Sequence, residues 1–360
     1  MKKNNKITIR EISRLSGYSV STVSRVLGKS GLVKEDTREK ILKIIEDQSF
    51  SPNMIARSLK TKRTNTIGLI LGDIENPFYS RVAKGVIDTA EQKNYNVILC
   101  NSNYDAKLEE KSIVTLLNRQ VDGFLLTTVK LSHATIDDLK YRGVPYVLID
   151  YKLDLPGVSY IVNDDYHGGK IAAEYLVTLG HNHIAFFGNE KLLSFKRRFN
   201  GFKEILNKYG ISVNEYLIDD INDITEINNS IRNLVNSKEK ITALFAVNDF
   251  LAIKAVENFV ALGLKVPRDI SIIGYDNITI SSMLRVPLTT INQPKYKTGK
   301  LATELLLNML ESKEGVEDKK VVLKPELIYS ALASSLTFCL NNICSISPPA
   351  ITYLLIKYLI

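Results

Sequence analysis

The apolar positions of the first fifty residues fall into three groups at helical spacing. Ile9, Ile12 and Leu15 follow Thr8, which with Glu11 makes a capping box, and Gly17 then supplies the residue for which a left-handed helix end costs least. Val23, Val26 and Leu27 form a second inward stripe, capped by Ser19 or Ser21. That stripe leaves Val20, Ser21, Thr22, Ser24 and Arg25 on the outer side. Ile41, Leu42, Ile44 and Ile45 close a small core of three helices. Two short helices joined by a glycine-containing turn predict a helix-turn-helix.

Beyond residue 64 the rhythm changes. Thr66–Leu71, Asn96–Cys100, Gly123–Thr127 and Tyr146–Ile149 are short apolar runs that read as buried strands, separated by helical patterns near 77–93, 105–119 and 134–142. A second set follows, with runs at Tyr160–Val162, Ile184–Phe187, Thr242–Val247 and Ile270–Ile273. Alternating strands and helices predict doubly wound parallel sheets, and two such sets predict two lobes. The expected fold class is therefore α/β: a three-helix head, a short helical hinge, then a two-lobed body of doubly wound parallel sheets. The expected division is 1–50 for the head, 51–64 for the hinge, 65–330 for the body and 331–360 for a tail outside the fold.

Charge sharpens this division. Residues 1–64 hold 15 Lys and Arg against 6 Asp and Glu, a net of +9, whereas the remainder holds 32 against 33. A basic module on a neutral body implies an anionic polymer as partner, and on the head that partner is double-stranded DNA. Arg25 is long enough to reach a guanine edge in the major groove, with Val20 and Ser21 beside it, while Thr22 and Ser24 suit phosphates. In the next segment, SPNMIARSLKTKR, Asn53, Ala56, Arg57 and Leu59 are the candidate contacts, with Leu59 as an apolar wedge for the minor groove. A basic linker is the plainer account of the same residues.

Strand ends in such sheets carry ligand sites, here in the cleft between lobes. Asp73, Asn76, Phe78 and Tyr79 follow the first strand, Asp150 ends the fourth, Asn248 and Asp249 follow the run at 242–247, and Asp276 follows Gly274-Tyr275. Carboxylates and amides for paired hydroxyls, with aromatic rings for apolar sugar faces, make a polyol site, and Arg198 adds a fork of donors. Each has a structural reading too: Asp249 as the cap of the helix starting there, Phe78 as core, Asn76-Pro77 as a turn.

TIREISRLSGYSVSTVSRVL, SPNMIARSLKTKRTNTIGLIL, IENPFYSRVAKGV, RQVDGFLL, YLVTLGHNHIAFFG, NDFLAI, VPRDISIIGYDN and PLTTINQP occur in order as far as about Ile328. Together they resemble the lactose/galactose repressor (LacI/GalR) family of bacterial transcription regulators. Where that family commonly has Asn after RVL, this chain has Gly28. The resemblance implies a cytoplasmic, homodimeric repressor on a palindromic operator, with a body like that of periplasmic binding proteins. It implies effector contacts at Phe78, Tyr79, Arg198, Asn248, Asp276 and Gln293, a set most similar to ribose-type sites. The expected effector is a pentose, ribose or a phosphorylated relative, with a purine as the alternative because an aromatic pair and an Arg also suit a flat base.

Enzyme motifs are absent: no Gly-Lys-Ser/Thr phosphate loop, no G-x-S-x-G elbow, no H-E-x-x-H and no G-x-G-x-x-G after the first strand. The four His are not arranged as base and nucleophile, and His181 reads as structural. No cofactor or metal is called for, since Cys100, Cys339 and Cys344 have no metal spacing. A non-regulatory, exported sugar-binding protein would share the body but needs a leader that Met1–Asn5 does not begin. No membrane span is expected, for no run of apolar residues is long enough. From Leu327 onward Lys357 is the only charge and Pro348-Pro349 breaks any long helix. This composition is expected of out-of-frame sequence appended to a finished fold, with an apolar docking segment as the alternative.

Overall fold

The computed structural model describes residues 7–28, 31–50, 63–127, 133–312 and 317–330. Asn53, Ala56, Arg57 and Leu59, the hinge helix and the tail from 331 lie outside the described residues. The chain divides into two compact units, Met1–Thr66 with Gln120–Asp122, and Ile67–Arg119 with Gly123–Ile360.

Within the first unit, hydroxyl side chains start two helices by accepting first-turn N–H groups that have no helical partner. Thr8 accepts from Glu11 N ahead of α1 (Ile9–Ser16), and Ser19 from Thr22 N ahead of α2 (Val20–Leu27). The capping box is only half made, because the Glu11 carboxylate turns to Arg14 at 3.2 Å. Gly17 adopts φ +73° at the turn. With α3 (Glu35–Asp47), these helices bury Ile12, Val23, Val26 and Ile41, each contributing roughly 1.5–3 kcal/mol. Leu27, Ile44 and Ile45 pack partly buried around them. Leu15 and Leu42 depart from expectation: they are 44% and 45% exposed, one turn beyond the reach of so small a core.

The second unit contains two six-stranded sheets. The first runs β11-β5-β4-β3-β1-β2, built from β1 (Thr66–Leu71), β2 (Asn96–Asn101), β3 (Gly123–Leu126), β4 (Tyr146–Ile149), β5 (Ser159–Asn163) and β11 (Lys320–Leu323). The second runs β12-β10-β9-β8-β6-β7, from β6 (Ile184–Gly188), β7 (Val213–Leu217), β8 (Ala243–Ala246), β9 (Ser271–Asp276), β10 (Thr289–Asn292) and β12 (Glu326–Ile328). β1, β3, β4, β5 and β11 pair in parallel, as do β7, β6, β8, β9 and β10, while β12 runs antiparallel to β10. Central strands are buried on both faces, which is why they read as unbroken apolar runs. The expected burial of 96–100 fails: β2 is an edge strand with half-exposed side chains.

Among the described residues, seven α-helices connect the strands before the return to the first lobe: α4 (Pro77–Gln92), α5 (Ala106–Asn118), α6 (His133–Tyr141), α7 (Asp165–Thr178), α8 (Leu193–Lys208), α9 (Ile224–Val235) and α10 (Asp249–Ala261). α11 (Lys295–Glu311) then packs on α4. The helix pairs α4–α11 and α7–α8 touch through glycines. A Cβ on Gly85 or Gly299 would fall 2.2 or 2.1 Å from a backbone oxygen of the facing helix, and one on Gly169 or Gly201 would fall 1.9 Å from one. The chain passes between lobes three times, from β5 to α7, from β10 to α11 and from β11 to β12. His181 is buried, with its ring nitrogens 3.0 and 3.1 Å from the hydroxyls of Thr242 and Ser271. Among the described residues no helix is long and apolar enough to cross a membrane.

Candidate functional site

The outward face of α2 carries the residues singled out in the head. Val20 is 42% exposed, Ser21 and Arg25 are exposed, and Thr22 and Ser24 are half-buried. The Ser19 hydroxyl lies 2.7 Å from that of Ser21 and 2.9 Å from that of Thr22, so three hydroxyls cluster at the helix N-terminus. Amide and hydroxyl donors at the positive end of a helix are what a phosphate oxygen requires. One turn on, Arg25 extends from the exposed face of α2. Where the linker ends, Asp122 holds the chain: Oδ1 accepts from Thr64 N at 2.8 Å and from Thr64 Oγ1 at 2.9 Å, and Oδ2 from Asn65 N at 2.9 Å.

In the body, a cleft between the lobes contains two small adjoining hollows that share Tyr79, Tyr104, Asp150, Leu192 and Ser194 in their lining. Asn76, Phe78, Tyr79, Asp150, Arg198 and Asp276 all line it. Asn76 caps α4 by accepting from Phe78 N, which seats the aromatic pair at the cleft edge with ring centroids 5.0 Å apart and planes at 86°. Asp73 and Asn248 are not among the lining residues. The Asp73 carboxylate accepts from Glu75 N in a local turn, and Asn248 caps α10 by accepting from Leu251 N at 2.9 Å. Asn248 therefore takes the capping role expected of Asp249. Asp249 instead sits fully buried, accepting from Ile278 N at 2.9 Å and from the hydroxyls of Ser281 and Thr290, each at 2.6 Å. Gly274 makes room for it, since a Cβ there would come within 2.2 Å of Asp249 Oδ1.

Arg198, on the second turn of α8, is the centre of the cleft. Its Nε donates to Asp165 Oδ1 at 2.8 Å, its Nη1 to the Val247 carbonyl at 2.8 Å, and Nη1 lies 3.5 Å from Asp276 Oδ1. The guanidinium stacks 3.8 Å from the Tyr275 ring centroid. Gln293 Nε2 donates to Asp276 Oδ1 at 2.6 Å, so Gln293 supports the lining from behind. Lys295 Nζ donates to the backbone carbonyls of Asp276, Asn277 and Gln293. Gln293 Oε1 is buried without a hydrogen-bond partner among the described residues, while the buried Asp150 carboxyl faces the Asn163 amide and the buried Tyr275 hydroxyl faces Asp165.

Burial dominates the ionisation of these groups. It pushes the Asp150 carboxyl up to about 8, helped by the charge of Asp165 and opposed by Arg198. Burial and Asp276 push Asp249 up to about 7. Asp165 and Asp276 are likewise raised by burial, with Arg198 the largest opposing influence on each. Desolvation lowers Lys295. Chemically the cleft offers acceptors and ring faces, as a small molecule rich in O–H or N–H groups requires.

Sequence reasoning missed Asp165, Asn163, Tyr104 and Tyr275. Asn163 ends the fifth strand and Asp165 follows it, as Asp150 follows the fourth, so the strand-end rule that found one was available for the others.

Residues 8–53 match a family described as bacterial regulatory proteins, lacI family, and residues 64–329 match periplasmic binding proteins and sugar binding domain of LacI family. The HTH-type transcriptional regulator DegA of Bacillus subtilis is 33% identical, over 90% of this chain and 97% of that protein. The HTH-type transcriptional repressor PurR of Vibrio vulnificus is 34% identical, over 89% of this chain and 97% of its own. A LacI family transcriptional regulator from Enterococcus faecium, solved with bound ribose, is 30% identical with a TM-score of 0.69, covering 75% of this chain and 99% of that one.

Proposed function

Because the chain belongs to the LacI family of bacterial regulatory proteins, and is thus a DNA-binding transcriptional repressor with a sugar or purine effector domain, we propose that its effector is a pentose, ribose before others. One observation carries this reading: Asp150, Arg198 and Asp276 line one hollow together with Phe78 and Tyr79, with Gln293 bracing Asp276. Adjacent hydroxyls of a furanose or pyranose donate to the carboxylates, while its apolar face meets the rings. The similar Enterococcus faecium regulator holds ribose. A purine remains the second reading, favoured by the 34% identity to a PurR repressor and by the aromatic pair.

In this proposal Val20, Ser21 and Arg25 read the major groove, Thr22 and Ser24 hold phosphates, and Asn53, Ala56, Arg57 and Leu59 take the minor groove. The proposed division is a head to residue 50, a hinge to 64, a body to 330 and a tail beyond it. Two heads in a homodimer read a two-fold symmetric site. The effector acts by binding two arrangements of the lobes with different affinity, since equal binding shifts neither population.

Calorimetric titration of the full chain with pentoses, hexoses and purine bases tests the effector, and selection of bound sequences from a random pool tests the operator. A pentose heat with a palindromic site is expected. A purine preferred over every sugar would overturn the pentose, and selected sites without symmetry would overturn the dimer.

A further inference from the structure

Asp150, Asp276 and Arg198 line the cleft, and buried behind them lie two further carboxyl groups, Asp165 and Asp249, and a second cation, Lys295. Neither cation is left over. Arg198 spends its Nε on Asp165 and its Nη1 on the Val247 carbonyl, beside Asp276, while Lys295 is surrounded by three backbone carbonyls. Of the buried polar atoms near the cleft, Asp150 Oδ1, Asn163 Oδ1 and Gln293 Oε1 are acceptors, while Asn163 Nδ2 and the Tyr275 hydroxyl can donate. Hydrogen-bond capacity and charge thus ask for the same ligand, one that donates and brings no negative charge.

We propose that Asp165 sets the charge selectivity of the cleft: by occupying Arg198 with a buried carboxylate, it confines the site to neutral, donor-rich ligands and excludes their anionic relatives. The proposal rests on the reading of this cleft as the effector site, and it removes the phosphorylated sugar from the candidate effectors. An incoming phosphate dianion would meet carboxylates at short range in a poorly solvated space, where like charges repel most strongly. One element opposes this. α8 begins at Leu192 without a side-chain cap, and Leu192 and Ser194 line the cleft. A helix N-terminus is worth roughly half a positive charge, too little to balance a dianion. A proton on Asp150, whose carboxyl is raised to about 8, lessens the repulsion but frees no cation.

Asp165 is a positioning residue, acting through Arg198. Its test is a ratio of affinities, which a general loss of stability would not move. The full chain is titrated with ribose and ribose 5-phosphate, and with hypoxanthine and the anion urate as a neutral and charged pair of similar size. Wild type is expected to bind the neutral member at least roughly tenfold more tightly. Asp165→Asn, which leaves Arg198 partly uncompensated, is expected to shrink that ratio several-fold, and Asp165→Glu to keep it. A wild type that prefers the anion in the pair it binds overturns the proposal, whether or not any variant folds. So does an unchanged ratio in an Asp165→Asn protein that melts cooperatively. Binding of the purine pair alone would instead sink the pentose reading, and the charge rule would stand or fall on hypoxanthine against urate.

Discussion

Arg25 and Asp150 are opposite uses of a charged side chain. Arg25 is exposed on α2, with only its stem against Gly31, so Arg25→Ala should change the melting temperature of the protein little. Operator binding, followed by fluorescence anisotropy, should weaken by about 1–3 kcal/mol, with relaxed preference at one base pair per half-site. Asp150 is an acid whose folded-state value lies about 8, far above its ordinary 3.8, facing Asp165, Arg198 and Asp276. The sign follows from linkage: the folded protein holds this proton more tightly than the unfolded chain. Its contribution to stability is therefore full in acid and lost as pH rises through the folded value. A ligand donating hydrogen bonds to the carboxylate reverses the bias and expels the proton. Titrations near pH 7 in buffers of different ionisation enthalpy should report net proton release, and should report much less of it with Asp150→Asn. Uptake would show that the ligand meets Asp150 as an acid.

At the scale of elements, the glycine contacts decide where Arg198 stands. Gly169 of α7 faces the carbonyl of Arg198 itself, 1.9 Å from where a Cβ would be, so Gly169→Ala cannot be absorbed by a side-chain rotation. The helices must separate, and overpacking of this kind costs about 1–3 kcal/mol. Thermal melting should fall accordingly, and effector affinity should fall with it because Arg198 moves; an unaltered melt would mean that the pair tolerates separation. These elements were differently legible beforehand. Strands buried on both faces announce themselves as apolar runs, and β1 and β4 lie where their runs lie. The edge strand β7, with Asn214 and Glu215 in its middle, and the short β11 and β12 carry no such run and escaped notice. The site followed the same logic: Asp150 and Asp276 could be found because each ends a recognisable strand. Whether Asn248 or Asp249 caps α10 depends on where the helix begins to within one residue, which periodicity does not resolve. That Asn248 caps the helix while Asp249 anchors Ile278, Ser281 and Thr290 had to be seen in three dimensions.

On the scale of the whole molecule, the described chain is tied off at its last residue. Thr289 Oγ1 donates to the Ser330 carbonyl at 2.8 Å, and the Ser330 hydroxyl donates to the Pro287 carbonyl, just beyond β12 on the edge of its sheet. A protein truncated after Ser330 is therefore expected to keep effector and operator binding. It should also gain solubility, because Ile351–Ile356 is the kind of weakly charged, β-prone window that associates. Loss of folding on truncation would make the tail a working part of the body. Of the three passages between lobes, the first and third are joined, Asp164 N donating to the Leu323 carbonyl at 2.8 Å. Three short passages, two of them hydrogen-bonded together, make the segments about which any movement of the lobes must turn. Asn163, Asp165, Gln293 and Lys295 sit on those passages or at their ends. A molecule held between the lobes therefore lies against the joint as well as the jaws, because Asp276 in the lining is braced by Gln293 of the second passage.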